Sequence, residues 1–236
     1  DVNGTSINAF SSWSYTSSET GVGFTVGNTP SGSGTINDLL TMVGDSTVTY
    51  TVTAIVNTKA AGNILNTATA TVNGTTTTAV SNNSTPKVGT VVSKKTTTST
   101  TYAPGEEITY TLTETNSGGK STVKVEDLIA SQKTTDAGGT SINAFSSWSY
   151  TSSVSGTGSV SGNTASGNSD IIDTLTMTGD VVVTYTIKAK VSLQAAGDIK
   201  NTAKVTVNGV TGDVVSEVIT PKVGTVVSKK TTTSTT

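Results

Sequence analysis

Apolar residues alternate with threonine through the middle of the chain. Between Glu107 and Thr115, Ile108, Tyr110 and Leu112 fall on one side and Thr109, Thr111 and Thr113 on the other. The stretch Val181 to Val191 does the same, with Val183, Tyr185, Ile187, Ala189 and Val191 in one set. A period of two is that of a strand with one buried face, the mark of antiparallel sheets wet on the other side. Further strands are predicted over 90–96, 121–130, 145–152, 158–164, 170–178, 199–208 and 213–219, with Gly, Asn and Asp between them. No window of eleven or more residues carries a convincing helical stripe.

The chain repeats itself. Thr5 to Ser18 returns letter for letter at Thr140 to Ser153, and Thr85 to Thr101 returns at Thr220 to Thr236, both offset by 135 residues. About two thirds of the positions that can be compared are identical, so the repeating unit is a whole domain rather than a short solenoid turn. Residues 1–85 are expected to be the C-terminal part of one repeat, 86–220 a complete repeat, and 221–236 the first strand of a following one. This register reads as a window on a longer tandem array; strand exchange between molecules is the weaker alternative, because 221–236 could supply only one strand. Eight or so short strands per unit of about 135 residues predict an all-β fold of tandem immunoglobulin-like antiparallel β-sandwiches. Threonine suits the wet faces because its branched side chain fits a pleated surface without adding charge. Lys188, Lys190 and Lys204 are expected to guard exposed edges.

Composition narrows the chemistry. The 236 residues include 52 Thr and 31 Ser but no Arg, His or Cys, and only 13% are charged. No Ser-His-Asp or Cys-His relay and no N/S zinc site can be built from that inventory. With no Arg and a net charge of −2, there is no electrostatic footprint for nucleic acid. No apolar run approaches the length of a membrane span. The absence of Cys fits an exported surface that does not rely on disulfides, and fits a cytosolic chain equally well.

Three segments stand out in the complete repeat: VVSKK with Lys94 and Lys95, followed by YAPGEEITYTLTETNSGG; VKVEDLI with Asp127; and IKNTAKVTV with Asn201. In this order they resemble the bacterial and archaeal surface repeat known as domain of unknown function eleven. That pattern runs from a Lys closing a first strand, through Pro-Gly-acid before a Tyr-Thr strand ending in Thr-Asn-x-Gly, to Val-x-Asp-x-Leu and then Asn-Thr-Ala-x-Val. The family often has a Pro-containing turn after the Asp-Leu segment, where this chain reads Ile129-Ala130-Ser131. In its Lys, acid and Asn placement the family is similar to the pilin and adhesin domains that form an intramolecular isopeptide bond.

The resemblance implies Lys94 or Lys95 as nucleophile, Asn201 as electrophile and Asp127 as the assisting acid. A Lys amine attacks a carboxamide only when neutral, which burial favours, and the same burial keeps a carboxylic acid protonated so that it can polarise the carbonyl. Neighbouring strand residues face opposite ways, and Lys94 is the expected inward residue because Val92 shares its face. Asn66, Lys229 and Lys230 are the matching positions of the partial repeats. Without the resemblance, both lysines read as solvated edge charges, Asp127 as a strand end and Asn201 as a turn residue.

Trp148 and Tyr150, with Phe145, recur as Trp13, Tyr15 and Phe10. They suit a sandwich core better than a sugar-stacking platform. Asp170, Asp173 and Asp180 carry the oxygen ligands calcium takes but lack a loop spacing, so turn acids are the expected role and no cofactor is called for. The threonine run 96–101 suits an extended connector or a glycosylated stretch. Pro86 and Pro221 are expected at short, stiff joints between repeats.

The functional expectation is a non-enzymatic, load-bearing stalk or fibre repeat of a secreted or wall-anchored prokaryotic surface protein. Its partners would be neighbouring repeats of the same chain, and further molecules in a fibre. A glycan- or protein-binding adhesin module using Trp148 and Tyr150, and an accessory domain of an extracellular hydrolase, are the alternatives.

Overall fold

The computed structural model describes residues 1–231, so the last five residues of the expected following strand lie outside the described residues. The first part of the chain forms β1 (Phe10–Gly21), β2 (Phe24–Val26), β3 (Ser31–Gly32), β4 (Thr41–Val43), β5 (Ser46–Val56), β6 (Thr67–Val72) and β7 (Thr75–Val80). The next strands are β8 (Gly89–Thr97), β9 (Thr101–Tyr102), β10 (Glu107–Gly118), β11 (Lys120–Asp127), β12 (Lys133–Thr135), β13 (Ser141–Asn143) and β14 (Phe145–Gly156). The last are β15 (Ser159–Ser161), β16 (Ser166–Gly167), β17 (Ile171–Thr178), β18 (Val181–Val191), β19 (Thr202–Val207), β20 (Val210–Val215) and β21 (Thr220–Pro221). The sole helical turn among the described residues is a 3-10 turn at Ile129–Ser131.

Residues 86–221 carry two five-stranded sheets, ordered β16-β14-β18-β10-β8 and β15-β17-β11-β19-β20, whose strands pair antiparallel. Their inner faces share one core, in which Tyr110, Leu112, Tyr185 and Ile187 of one sheet meet Val123, Val125, Leu175 and Met177 of the other. This is the all-β sandwich the alternation predicts. Residues 1–85 form a three-stranded sheet, β3-β1-β5, and the ribbons β2-β4 and β6-β7. They repeat the sequence of the sandwich but not its burial. Val52 is 43% exposed where the matching Ile187 is fully buried, because no strands equivalent to β8, β10 and β11 lie beside β5.

The structure departs from the expected strands and edges at several places. The predicted strand 121–130 stops at Asp127, where the 3-10 turn begins; Ala130 N–H donates to Asp170 Oδ1 at 2.9 Å, which fixes the turn that has no proline. The predicted strand 213–219 begins earlier, because Asn208 and Gly209 both take positive φ and make a two-residue hairpin turn between β19 and β20. Lys188 and Lys190 do not guard an edge: they are exposed on the outer face of β18, which lies between β14 and β10. Lys204 likewise sits on β19, between β11 and β20. The true edges beside each other are β8 and β20.

A buried clamp ties the loop after β15 to the core. Asp173 accepts hydrogen bonds from Thr164 N–H (2.8 Å), Thr164 Oγ1 (2.7 Å) and Tyr185 Oη (2.6 Å). The same clamp recurs as Asp38 with Thr29 and Tyr50. Asp173→Asn keeps the shape but removes the charge that strengthens these bonds, and will cost about 2 kcal/mol in a denaturant titration.

Candidate functional site

Local alternation decides what β8 buries. Its inward positions are Val91, Ser93 and Lys95, and in the antiparallel register with β10 Lys95 lies opposite Leu112 and Ser93 opposite Glu114. Lys95 is 3% exposed; Lys94 is exposed. The structure therefore corrects the expected assignment of Lys94 as the inward residue. Val92, which shares the face of Lys94, is 62% exposed, because the outer face of this edge strand is bare, while Val91 packs on the core.

Asp127 is the last residue of β11 and is fully buried. Its Oδ2 lies 2.5 Å from Lys95 Nζ, with both side chains fully shielded from solvent. Burial pushes the Lys95 amine down and the Asp127 carboxyl up, against the attraction of each for the other. Both groups are thus drawn toward their neutral forms. The Tyr110 ring lies beside the amine, 5.9 Å from Nζ to the ring centroid.

Asn201 is fully buried immediately before β19. The β11–β19 ladder pairs Val125 with Val205 and Glu126 with Lys204, which places Ala203 opposite Asp127 and Asn201 one same-face step further on. Its backbone is held in a reciprocal clasp, Asn201 N–H to Ser216 Oγ (3.2 Å) and Ser216 N–H to Asn201 O (3.0 Å). Its side chain is held by nothing: Nδ2 and Oδ1 are both buried without a hydrogen-bond partner, as is Asp127 Oδ1. Such groups cost about 1–3 kcal/mol each when left unpaired in a fold.

Sequence reasoning missed Ser216, Tyr110 and a second buried acid. The Ser216 contact recurs in the first part of the chain, where Asn66 N–H donates to Ser81 Oγ at 2.9 Å in the matching place. Glu114 is fully buried on the inner face of β10, accepts from Ser93 Oγ through one oxygen and leaves the other without a partner. Burial pushes its carboxyl up to about 7, against the Ser93 hydrogen bond that pulls it down.

The other candidates are not drawn together. Asn66 is exposed, as are Lys229 and Lys230. Tyr150 is a core residue, edge-to-face with Tyr185 at 6.3 Å, and Trp148 packs partly buried against the same core. The three acids weighed for calcium have separate tasks: Asp173 in the clamp, Asp170 at the 3-10 turn, and Asp180 accepting from Gly118 N–H at 2.9 Å.

No family model matches the chain, and no curated protein matches it. Among solved structures it is similar to a PapD-like domain of human CEP192, at 14% identity and a TM-score of 0.35, over 58% of this chain and 87% of that one. It is also similar to the C-terminal domain of the Streptococcus agalactiae antigen I/II polypeptide BspA, at 13% identity and 0.26, over 89% and 84%. The C-terminal domain of the Streptococcus pyogenes antigen I/II-family protein AspA stands at 13% and 0.27, over 75% and 59%. At these scores none of the likenesses bears on what the chain does.

Proposed function

We propose that residues 86–220 are one unit of a load-bearing, non-enzymatic stalk on a prokaryotic cell surface, locked by an isopeptide bond between Lys95 and Asn201. The observation that carries this reading is the buried Lys95–Asp127 pair, together with a buried carboxamide without a partner at Asn201, just before the strand that pairs with the strand of Asp127. A carboxamide left without a partner in a dry core is a liability in an unreacted domain, and with the buried Lys95 amine it supplies the two reactants of an amide exchange.

Proton transfer from Lys95 to Asp127 leaves a neutral amine and a neutral acid, the forms that burial favours for both. The amine lone pair attacks Asn201 Cγ while the Asp127 proton is shared with Asn201 Oδ1, which stabilises the tetrahedral adduct. The adduct collapses with loss of Nδ2 as ammonia, a Lys95 proton passing to the leaving group through Asp127. One C–N bond forms and one breaks, with no change of oxidation state. The reaction happens once per molecule, so it is maturation rather than turnover.

The test is intact mass. The protein will weigh one ammonia less than its sequence, and Lys95→Ala or Asn201→Ala will restore the full mass, while Lys94→Ala will leave the deficit in place. Full sequence mass in the unmodified protein would end the proposal.

A further inference from the structure

The segment Thr-Pro-Lys-Val-Gly occurs at 85–89 and again at 220–224, and its two occurrences make different contacts. At the second, β21 pairs in parallel with β9, Thr220 N–H donates to Thr100 O (3.1 Å) and Lys222 N–H to Tyr102 O (2.8 Å). Lys222 Nζ reaches both oxygens of Glu106, at 3.0 and 2.8 Å. These contacts all point back to the unit that the segment is leaving. At the first occurrence they point forward. Lys120 N–H donates to Lys87 O at 2.6 Å, Val88 bridges Lys120 in parallel, and Gly89 opens β8 opposite Gly118.

The two sets use different atoms. The backward set takes the N–H and Nζ of the lysine; the forward set takes its carbonyl. One segment can make both at once. The forward fit is close: a Cβ at Gly119 would stand 1.9 Å from Lys87 O, and one at Gly89 would stand 2.5 Å from Asn116 Oδ1. A second contact flanks it. Thr58 Oγ1 donates to Thr157 O at 3.0 Å, and the Thr58 carbonyl lies where a Cβ on Gly179 would come within 2.7 Å. The position 135 residues on from Thr58 is Leu193, which is 78% exposed beside Gly105 at the exit of the sandwich.

We propose that the exit end, made of Glu106, Leu193 and Lys222, is a docking surface for a second copy of this unit. That copy presents its Gly118–Lys120 hairpin and Gly179 turn, so that one Thr-Pro-Lys-Val-Gly segment belongs to both units and the joint is rigid. The inference rests on the tandem stalk reading and adds to it how successive units are held. The lysine at each joint acts as a rivet: its side chain is fixed to the carboxylate behind it and its carbonyl to the hairpin ahead. A chain without such a joint would extend by alignment of loose units under load; with it, the array is straight before load is applied.

The experiment extends the chain by repeating residues 102–220 after Thr236, which gives two complete units. The chain has no Cys, so Ser153→Cys and the same change in the appended unit give two unique spin-label sites. The dipolar distance distribution is expected to be narrow. Inserting Gly-Gly-Ser between Lys222 and Val223 parts the lysine from Val223 and Gly224, the counterparts of Val88 and Gly89 that open the next sandwich, and will broaden the distribution roughly twofold or more. Replacing the appended unit's counterpart of Gly119 by Ala will broaden it as well. An unmodified distribution as broad as that of the insertion variant overturns the joint. Intact mass on the same samples keeps the two proposals apart, because an ammonia deficit with a broad distribution would sink the joint and leave the cross-link standing.

Discussion

Asn201→Ala will lower the stability of the protein by about 4–5 kcal/mol, with a fall in melting temperature of roughly 10–20 °C. The proposed bond from Lys95 to Asn201 would close a loop of 106 residues (201 − 95), and a cross-link of that span removes chain freedom from the unfolded state much as a disulfide does. The substitution also leaves Lys95 and Asp127 buried and unreacted against each other. Lys95→Met with Asp127→Leu is the companion variant. It removes the buried charges as well as the bond, and exchange of a buried pair for apolar groups is near neutral or favourable. It will therefore melt below the cross-linked protein yet no lower than Asn201→Ala. If Asn201→Ala unfolds within about 1 kcal/mol of the unmodified protein, no cross-link of this span was present.

Glu114 gives the second large effect. Its carboxyl sits at about 7 in the folded protein against an ordinary 4.5, and burial is the cause. A group raised on folding contributes stability that is complete below the unfolded value and is lost as pH climbs to the folded one. Stability will thus fall between about pH 4.5 and pH 7 and stay level above, by roughly 3 kcal/mol in all. This is the reverse of the usual acid denaturation. Glu114→Gln keeps the Ser93 contact, cannot ionise, and will flatten that slope, leaving the variant more stable than the parent at pH 8. Denaturant midpoints from pH 4 to 8 read both curves; parallel curves would show that Glu114 is charged throughout, or solvated.

The sandwich was legible because its strands are long and their alternation is strict. β10 and β18 announce themselves in Ile108, Tyr110 and Leu112 and in Val183, Tyr185 and Ile187, and no tertiary contact overrides them. The three site residues were legible through a resemblance; the structure pairs Lys95 with Asp127 and buries Asn201 just before the strand next to that of Asp127. The choice between Lys94 and Lys95 was not legible, since valine precedes each by two or four positions. What decides it is distant in sequence: Leu112 across the ladder and Asp127 on the other sheet. Glu114 and Asn116 continue the inward set of β10, yet their polarity hid their burial. The Asn208-Gly209 turn was a local signal that lay inside and beside a predicted strand, and two-residue strands such as β9 and β21 have too few positions for any periodicity.

The chain enters the sandwich at Lys87 beside the Gly118–Lys120 hairpin and leaves at Lys222 beside Tyr102, and β10 runs the whole way between these ends. Tension between entry and exit therefore acts along β8 and not across it. Strands pulled lengthwise must slide past their neighbours, so all the ladder bonds from Gly89 to Thr97 resist together and none can be unzipped singly. An edge strand, which in a resting protein is the least protected member of its sheet, is under shear held by all its ladder bonds at once.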